Sequence, residues 1–353
     1  MSKSFSIYLD CLRIIAAFGV LVVHLGNPLI ASTPIIDDER GQNFVVLFFV
    51  LSGFLIAYSS EKKSSIQAFL IDRIAKFSTV VIPALSFTFL LFCIGSYFYS
   101  FTYSNFNSSH LGFKFVVNFL YLSQSWNLCS IPPTNPSFWS LSYEFWYYII
   151  FAIIYFLQGY KKWLLLTLAV FIAGFKIMLL FPVWLLGAAA YYIVLKIKWL
   201  QWYSIVIFML TSLMLIYFVF IFPTNYFQIY ARGIPPLFYS ASFLSDFCLG
   251  VLLVLNMLSF SQIKINLQWA NFSDLLKRVA GHTFSLYLFH FPSILFLSSA
   301  INYNKSSWLH IAGLGLIAYI FSALISNTLE KTRKYYKALF ISVTDIIFTK
   351  ELH

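Results

Sequence analysis

Charge is scarce in this chain, and acidic charge scarcest: 12 Asp and Glu and 23 Lys and Arg among 353 residues, so that charged side chains make up 10% of the total. Soluble globular domains carry about 25%, and the deficit excludes that class. Cysteine is sparse too. Of Cys11, Cys93, Cys129 and Cys248, three fall inside apolar stretches, so no disulfide framework is available, and no CxxC pair occurs. HExxH, P-loop and GxGxxG signatures are missing, as is any internal repeat of fixed period. Nothing here calls for a metal or a bound cofactor, and no appended soluble domain is read.

What the chain has in abundance is apolar surface. It is 60% hydrophobic and 21% aromatic, with a mean hydropathy of +0.82. Runs of about 20 apolar residues, long enough to cross a bilayer, recur from one end to the other. Lipid offers backbone groups no partners, so continuous helices are expected. The fold class is therefore all-α, a polytopic membrane helix bundle of about ten transmembrane helices. The expected spans are 7–26, 42–59, 78–100, 138–158, 162–180, 182–197, 202–222, 237–258, 280–300 and 307–328, the fifth and sixth divided at Phe181–Pro182. Residues 112–126 are shorter and more polar and read as an interfacial or re-entrant helix. The first span contains Arg13, runs to full spanning length and lacks a small-residue cleavage site, unlike a cleavable signal peptide.

Lys and Arg set the orientation. With both termini cytoplasmic, seventeen fall on the inner side, while Arg40, Lys114, Arg232 and Lys305 fall outside and Arg13 and Lys176 lie within spans. The same bias accounts for the net charge of +11 through contact with anionic membrane lipid, without nucleic acid.

Ionisable residues inside a bilayer are costly and point to function. Arg13 and His24 are eleven residues apart in the first span, about 20° from a whole number of turns, so they share a face about 16 Å apart along the axis. Arg13 can also pair locally with Asp10. Glu144 lies at the outer end of the fourth span in a Trp/Ser/Tyr-rich segment. His290 sits mid-span in the ninth, as a reactive group or as a packing histidine bonded to a backbone carbonyl. Asp246 reads as a pocket wall or the partner of a buried base, and Lys176 as a side chain snorkelling to the outer surface. The segment 101–137 holds Tyr103, Asn105, Asn107, Tyr121, Gln124, Trp126 and Asn127, suited either to a sugar or to an interfacial aromatic belt.

Four stretches in order resemble the acyltransferase-3 family of integral-membrane acyltransferases, which includes O-acetyltransferases of bacterial surface polysaccharides. Asp10, Leu12, Arg13, Ala16 and His24 match its first-span pattern. Phe48, Phe49, Leu51, Ser52, Gly53 and Phe54 match its F-F-x-L-S-G-F stretch. Trp139, Ser140, Leu141, Glu144 and Tyr147 match W-S-L-x-x-E-x-x-Y, and Ser285, Tyr287, Leu288, His290 and Pro292 match S-x-Y-L-x-H-x-P. The resemblance covers roughly residues 6–335. It departs after the second span, where the family has clustered arginines leading into a proline and this chain has Arg73, Lys76 and a later Pro83. Lys neutralises phosphate as a point charge, without the bidentate fork of Arg.

The resemblance implies a transmembrane domain over 1–335 and a short cytoplasmic tail over 336–353, in a bacterial cytoplasmic (inner) membrane. It implies an O-acetyltransferase that moves an acyl group from cytosolic acyl-CoA, acetyl-CoA first among them, to a hydroxyl of a cell-surface glycan or its lipid-linked precursor. Arg13, Arg73 and Lys76 would bind the donor. His24 would act as the base, with Glu144, entering from the outer half, either orienting it or contacting the acceptor sugar. Asp10, Ser52, Trp139, Ser140, Tyr147, Tyr287 and His290 would support them. Direct transfer is favoured over an acyl-histidine intermediate, and a homo-oligomer is compatible with the sequence. The rival readings are a transporter or flippase of a lipid-linked sugar or polysaccharide, and a catalytically silent partner in a biosynthetic complex.

Overall fold

The computed structural model describes residues 2–223, 236–264 and 270–349. Arg232 and Lys350, both used in the charge count, and the last residues of the expected tail lie outside the described residues. Twelve α-helices and no strand occur among the described residues: α1 (Lys3–Leu25), α2 (Gly41–Ser60), α3 (Ile66–Phe98), α4 (Ser100–Tyr103), α5 (Leu111–Phe119), α6 (Trp139–Phe156), α7 (Gly159–Ala173), α8 (Phe175–Val194), α9 (Gln201–Phe220), α10 (Phe243–Gln262), α11 (Ala270–Ala300) and α12 (Trp308–Thr349). Ten of these overlay the ten expected spans. Eight are long and apolar enough to cross a membrane; α6, with Ser, Tyr and Glu in its first half, and the 15-residue α7 fall short.

α1 shows why these sequences form these helices. Ser2 caps it by accepting from the Phe5 amide at 3.2 Å. Phe5, Leu9, Leu12, Ala16, Val20 and Val23 then recur at helical spacing and are all buried. α1 packs between α2 and α11, while α12 lies against α3 and α11. The closest crossing is between α2 and α8. A Cβ at Gly187 would stand 1.9 Å from the Val50 carbonyl oxygen, and one at Gly53 2.1 Å from that of Trp184. Only hydrogen fits at these two positions, the usual device for close helix approach in lipid. α9 is peripheral: 17% of its apolar window is buried, against 72% for the span ending in α2, so most of its surface faces lipid. A polar clip ties it inward, with Tyr8 donating to Asn256 at 2.5 Å and the Asn256 amide reaching Thr211 and Ser212 at 2.9 Å.

Two span boundaries are corrected, and a third helix continues past an expected boundary. The break between the fifth and sixth spans is not at Phe181–Pro182 but at Gly174, whose φ of +82° suits glycine, and Pro182 lies inside α8. A Cβ at Gly174 would also meet the Trp126 amide nitrogen at 2.6 Å. α3 begins at Ile66, twelve residues before the expected 78, capped by Ser65, so Arg73 and Lys76 sit on its second and third turns. α12 runs unbroken through the expected tail boundary at 335. In both long helices polar turns extend the helix beyond the apolar zone, and hydropathy alone does not register them.

Candidate active site

A partly open cavity of about 240 Å³ lies between α1, α2, α3, α6 and α11. Arg13, Arg73 and Lys76 bring three cations to it from α1 and α3. Asp10 answers Arg13 at 3.5 Å, one helical turn away, so the local pair and the cavity position coexist. Asp72 is shared among Arg73 at 3.9 Å, Lys63 at 3.5 Å and Arg333 of α12 at 3.0 Å. With Glu330 on Arg333 at 3.4 Å, two carboxylates meet these three cations, which leaves this corner positive. Lys76 is exposed to the cavity, and no hydrogen bond or ion pair among the described residues engages its ammonium. The Arg73 Nε is buried without an acceptor. An unsatisfied buried donor is costly, so the site is short of anionic oxygen.

Glu144 faces these cations. Its Oε1 accepts from Ser52 Oγ at 2.6 Å and from the Tyr148 hydroxyl, one turn further along α6. Trp184 Nε1 donates to Ser52 Oγ at 3.2 Å, so α2, α6 and α8 all fix this carboxylate. Arg73 and Lys76 are near enough to act on it electrostatically. Of the two roles expected for Glu144, orienting His24 is not the one its contacts allow, and it lies with the cations rather than in the outer half beside His24. The first turns of α6 lie beneath the folded segment 120–138, and that places Glu144 beside Ser52, nearer the end of α2 than its start.

His24 has a different partner. Its Nδ1 is 2.7 Å from Nε2 of His290, with the rings within 12° of parallel and their centroids 4.9 Å apart. His290 Nδ1 is 2.8 Å from the Leu286 carbonyl, the bond expected of a packing histidine. Pro292 lacks the amide that would bond the Leu288 carbonyl, and Asn135 Nδ2 fills that place at 2.8 Å. The histidine pair does not line the cavity. Between them stand Phe48 and Tyr287, ring centroids 5.6 Å apart, with the Tyr287 hydroxyl 2.8 Å from Ser140 Oγ. Phe48, Ser140 and Tyr287 close the end of the cavity that faces the histidine pair, and His290 is one turn beyond Tyr287 on α11.

The remaining candidates are elsewhere. Trp139 stacks on Tyr239 at 4.3 Å, and the Tyr147 hydroxyl donates to the Ile177 carbonyl at 2.8 Å; both are packing residues. Asp246 accepts from the Gln42 amide at 2.6 Å, so its partner is an amide rather than a base, and it does not line the cavity. Lys176 does not snorkel: it is fully buried, donates to the Leu128 carbonyl at 2.5 Å and lies 4.7 Å over the Phe238 ring. In the segment 101–137, Tyr103, Tyr121 and Gln124 are buried. Asn105 and Asn107 bond their own neighbours, and Trp126 Nε1 donates to the Phe171 carbonyl at 2.8 Å. Asn105, Asn107, Trp126 and Asn127 are exposed.

Sequence reasoning missed Tyr148, Lys63 and Arg333 at this site. Tyr148 could have been found, being four residues from Glu144 on one helix face. Arg333 could not, because only tertiary packing brings α12 to α3. No three His, Cys, Asp or Glu side chains converge as a metal site among the described residues.

A family model described as an acyltransferase domain matches residues 6–327, from the first helix into the last. No curated protein and no solved structure matches the chain.

Proposed function

The chain belongs to the acyltransferase-3 family and is a multi-pass membrane acyltransferase, and from this premise we propose that it moves an acetyl group from acetyl-CoA to a hydroxyl of a cell-surface glycan or its lipid-linked precursor at the bacterial cytoplasmic membrane. The observation that carries the reading is the cationic surplus of the cavity: Arg13, an Arg73 Nε without acceptor and a Lys76 with no ion pair or hydrogen bond among the described residues. A coenzyme A donor supplies the anionic oxygens this corner lacks, and charge-assisted bonds to phosphate are the strong kind. The cavity volume of about 240 Å³ is below that of sites enclosing a whole drug-sized ligand. The narrow pantetheine arm would enter it while the nucleotide stays at the mouth near Arg333 and Lys63. Glu144 Oε2 has no partner among the described residues and is placed to accept from an amide N–H of that arm.

The chemistry then proceeds at the far side of Phe48 and Tyr287, whose side chains turn aside to admit the thioester. His24 takes the proton of the acceptor hydroxyl while the oxygen attacks the thioester carbonyl carbon. The C–S bond breaks, and the departing thiolate recovers the proton from His24, leaving an ester and free thiol.

The test is incubation of purified protein with radiolabelled acetyl-CoA and glycan from the native cell. Label should pass to glycan in a manner dependent on Arg13 and His24. Absence of label from glycan, water and protein alike, with acceptor supplied, would sink the proposal.

A further inference from the structure

We infer that His290 is a positioning residue that fixes the tautomer of His24, leaving Nε2 of His24 without a proton and free to take one. The inference rests on the reading of His24 as the base. Its ground is the direction of a hydrogen-bond chain with one fixed end. The Leu286 carbonyl can only accept, so the His290 Nδ1 at 2.8 Å from it carries the hydrogen. A neutral imidazole has a single N–H, and His290 Nε2 is therefore an acceptor. His24 Nδ1, 2.7 Å away, must then donate. The one position left for a lone pair on His24 is Nε2.

Burial closes off the alternative. His290 is 1% exposed, and neither ring hydrogen-bonds a carboxylate among the described residues. A doubly protonated His290 donating from both nitrogens would be an uncompensated buried cation. His24 itself is partly exposed, and its edge opposite Nδ1 is the one turned away from His290. When Nε2 takes a proton from an acceptor hydroxyl, the Nδ1–H bond to His290 is already in place. His290 Nε2 accepts that bond from the new imidazolium, which stays on His24, in the role an acidic residue fills in other base–orienter pairs. The helix supports the arrangement: Asn135 holds the Leu288 carbonyl that Pro292 leaves open, which keeps the turn bearing Leu286 and His290 in register.

Two measurements test this, one of them independent of activity. In protein labelled with 15N-histidine in lipid nanodiscs without donor, both His24 and His290 should show a pyrrole-type Nδ1 and a pyridine-type Nε2. The signals are assigned by their loss in His24→Gln and His290→Gln. A pyrrole-type Nε2 on His24 would overturn the inference. In the transfer assay, His290→Phe should lower kcat on the order of 10²-fold with donor KM changed less than about twofold. His290→Gln places a carbonyl oxygen near the lost Nε2 and should stay within about tenfold of the parent. A His290→Phe variant with normal turnover, or a Gln variant no better than Phe, would remove the positioning role. If the parent transfers no acyl group at all, the assignment of function fails while the tautomer measurement still decides the histidine chain.

Discussion

The two ends of the Arg13–His24 stretch lie on one face of one helix and yet occupy opposite kinds of surroundings. Arg13, 29% exposed along its side chain, meets a cavity with more cations than anions and a carboxylate one turn below. His24 meets another histidine and the edge of Phe291 at 5.1 Å, with its partner sealed from solvent. Water and mobile ions suit the capture of a polyanion, whose desolvation would otherwise cost more than the contacts return. A dry, fixed neighbour suits a base, because orientation and protonation state then need no reorganisation when the proton moves. A single helix serves both because about 16 Å of rise separates the two positions and a layer of Phe48 and Tyr287 stands between their environments.

The largest way to break this contrast is at the dry end. His24→Ala should lower kcat by about 10²- to 10⁴-fold and leave donor KM nearly unchanged in the transfer assay; a matching rise in KM would show that the two ends are one site. At the wet end, Arg13→Ala should raise donor KM by about 10- to 100-fold, the loss of a charge-assisted contact of about 1.5–3 kcal/mol. Titration calorimetry with coenzyme A checks it, and an undiminished affinity would remove Arg13 from the donor site. Gly187→Ala sharpens the comparison from outside. It forces α8 from α2, which carries Phe48 and Ser52 one turn apart beside the crossing, so stability should fall by about 1–3 kcal/mol. The thermal midpoint and both functions should decline together; a stable variant would mean the crossing has slack. The smallest effect belongs to Arg333→Ala. A partly exposed ion pair is worth under about 1 kcal/mol, so donor KM should rise at most about fivefold, less at high salt, and turnover should hold.

Much of the frame was legible because bilayer thickness imposes a length on every apolar run, and the ten runs became ten helices. The boundaries were less so. Pro182 reads as a breaker, but a proline is tolerated within a membrane helix, and the true break needed the left-handed backbone of Gly174. The start of α3 was hidden because polar turns such as those bearing Arg73 and Lys76 continue a helix without raising hydropathy. The meeting of Arg13, Arg73 and Lys76 on one cavity accords with their grouping on one side by charge, whereas Glu144, expected in the outer half, joins them there. The bond between His24 and His290 joins residues 266 positions apart, and no local pattern encodes it. Its absence from the sequence reading left Glu144 as the nearest available orienter, and Ser52 and Tyr148 proved to hold that carboxylate instead.

The layer formed by Phe48, Tyr287 and Ser140 also has an electrical meaning. Water filling the cavity below it carries the potential of that side up to Arg13, so the voltage across the membrane falls over the closed thickness beyond. Each elementary charge crossing the full membrane exchanges about 2.3 kcal/mol per 100 mV. On the proposed reading, donor capture at Arg13 is indifferent to whether the cell is energised, whereas a proton brought to His24 by an acceptor entering from the opposite face would cross part of the field.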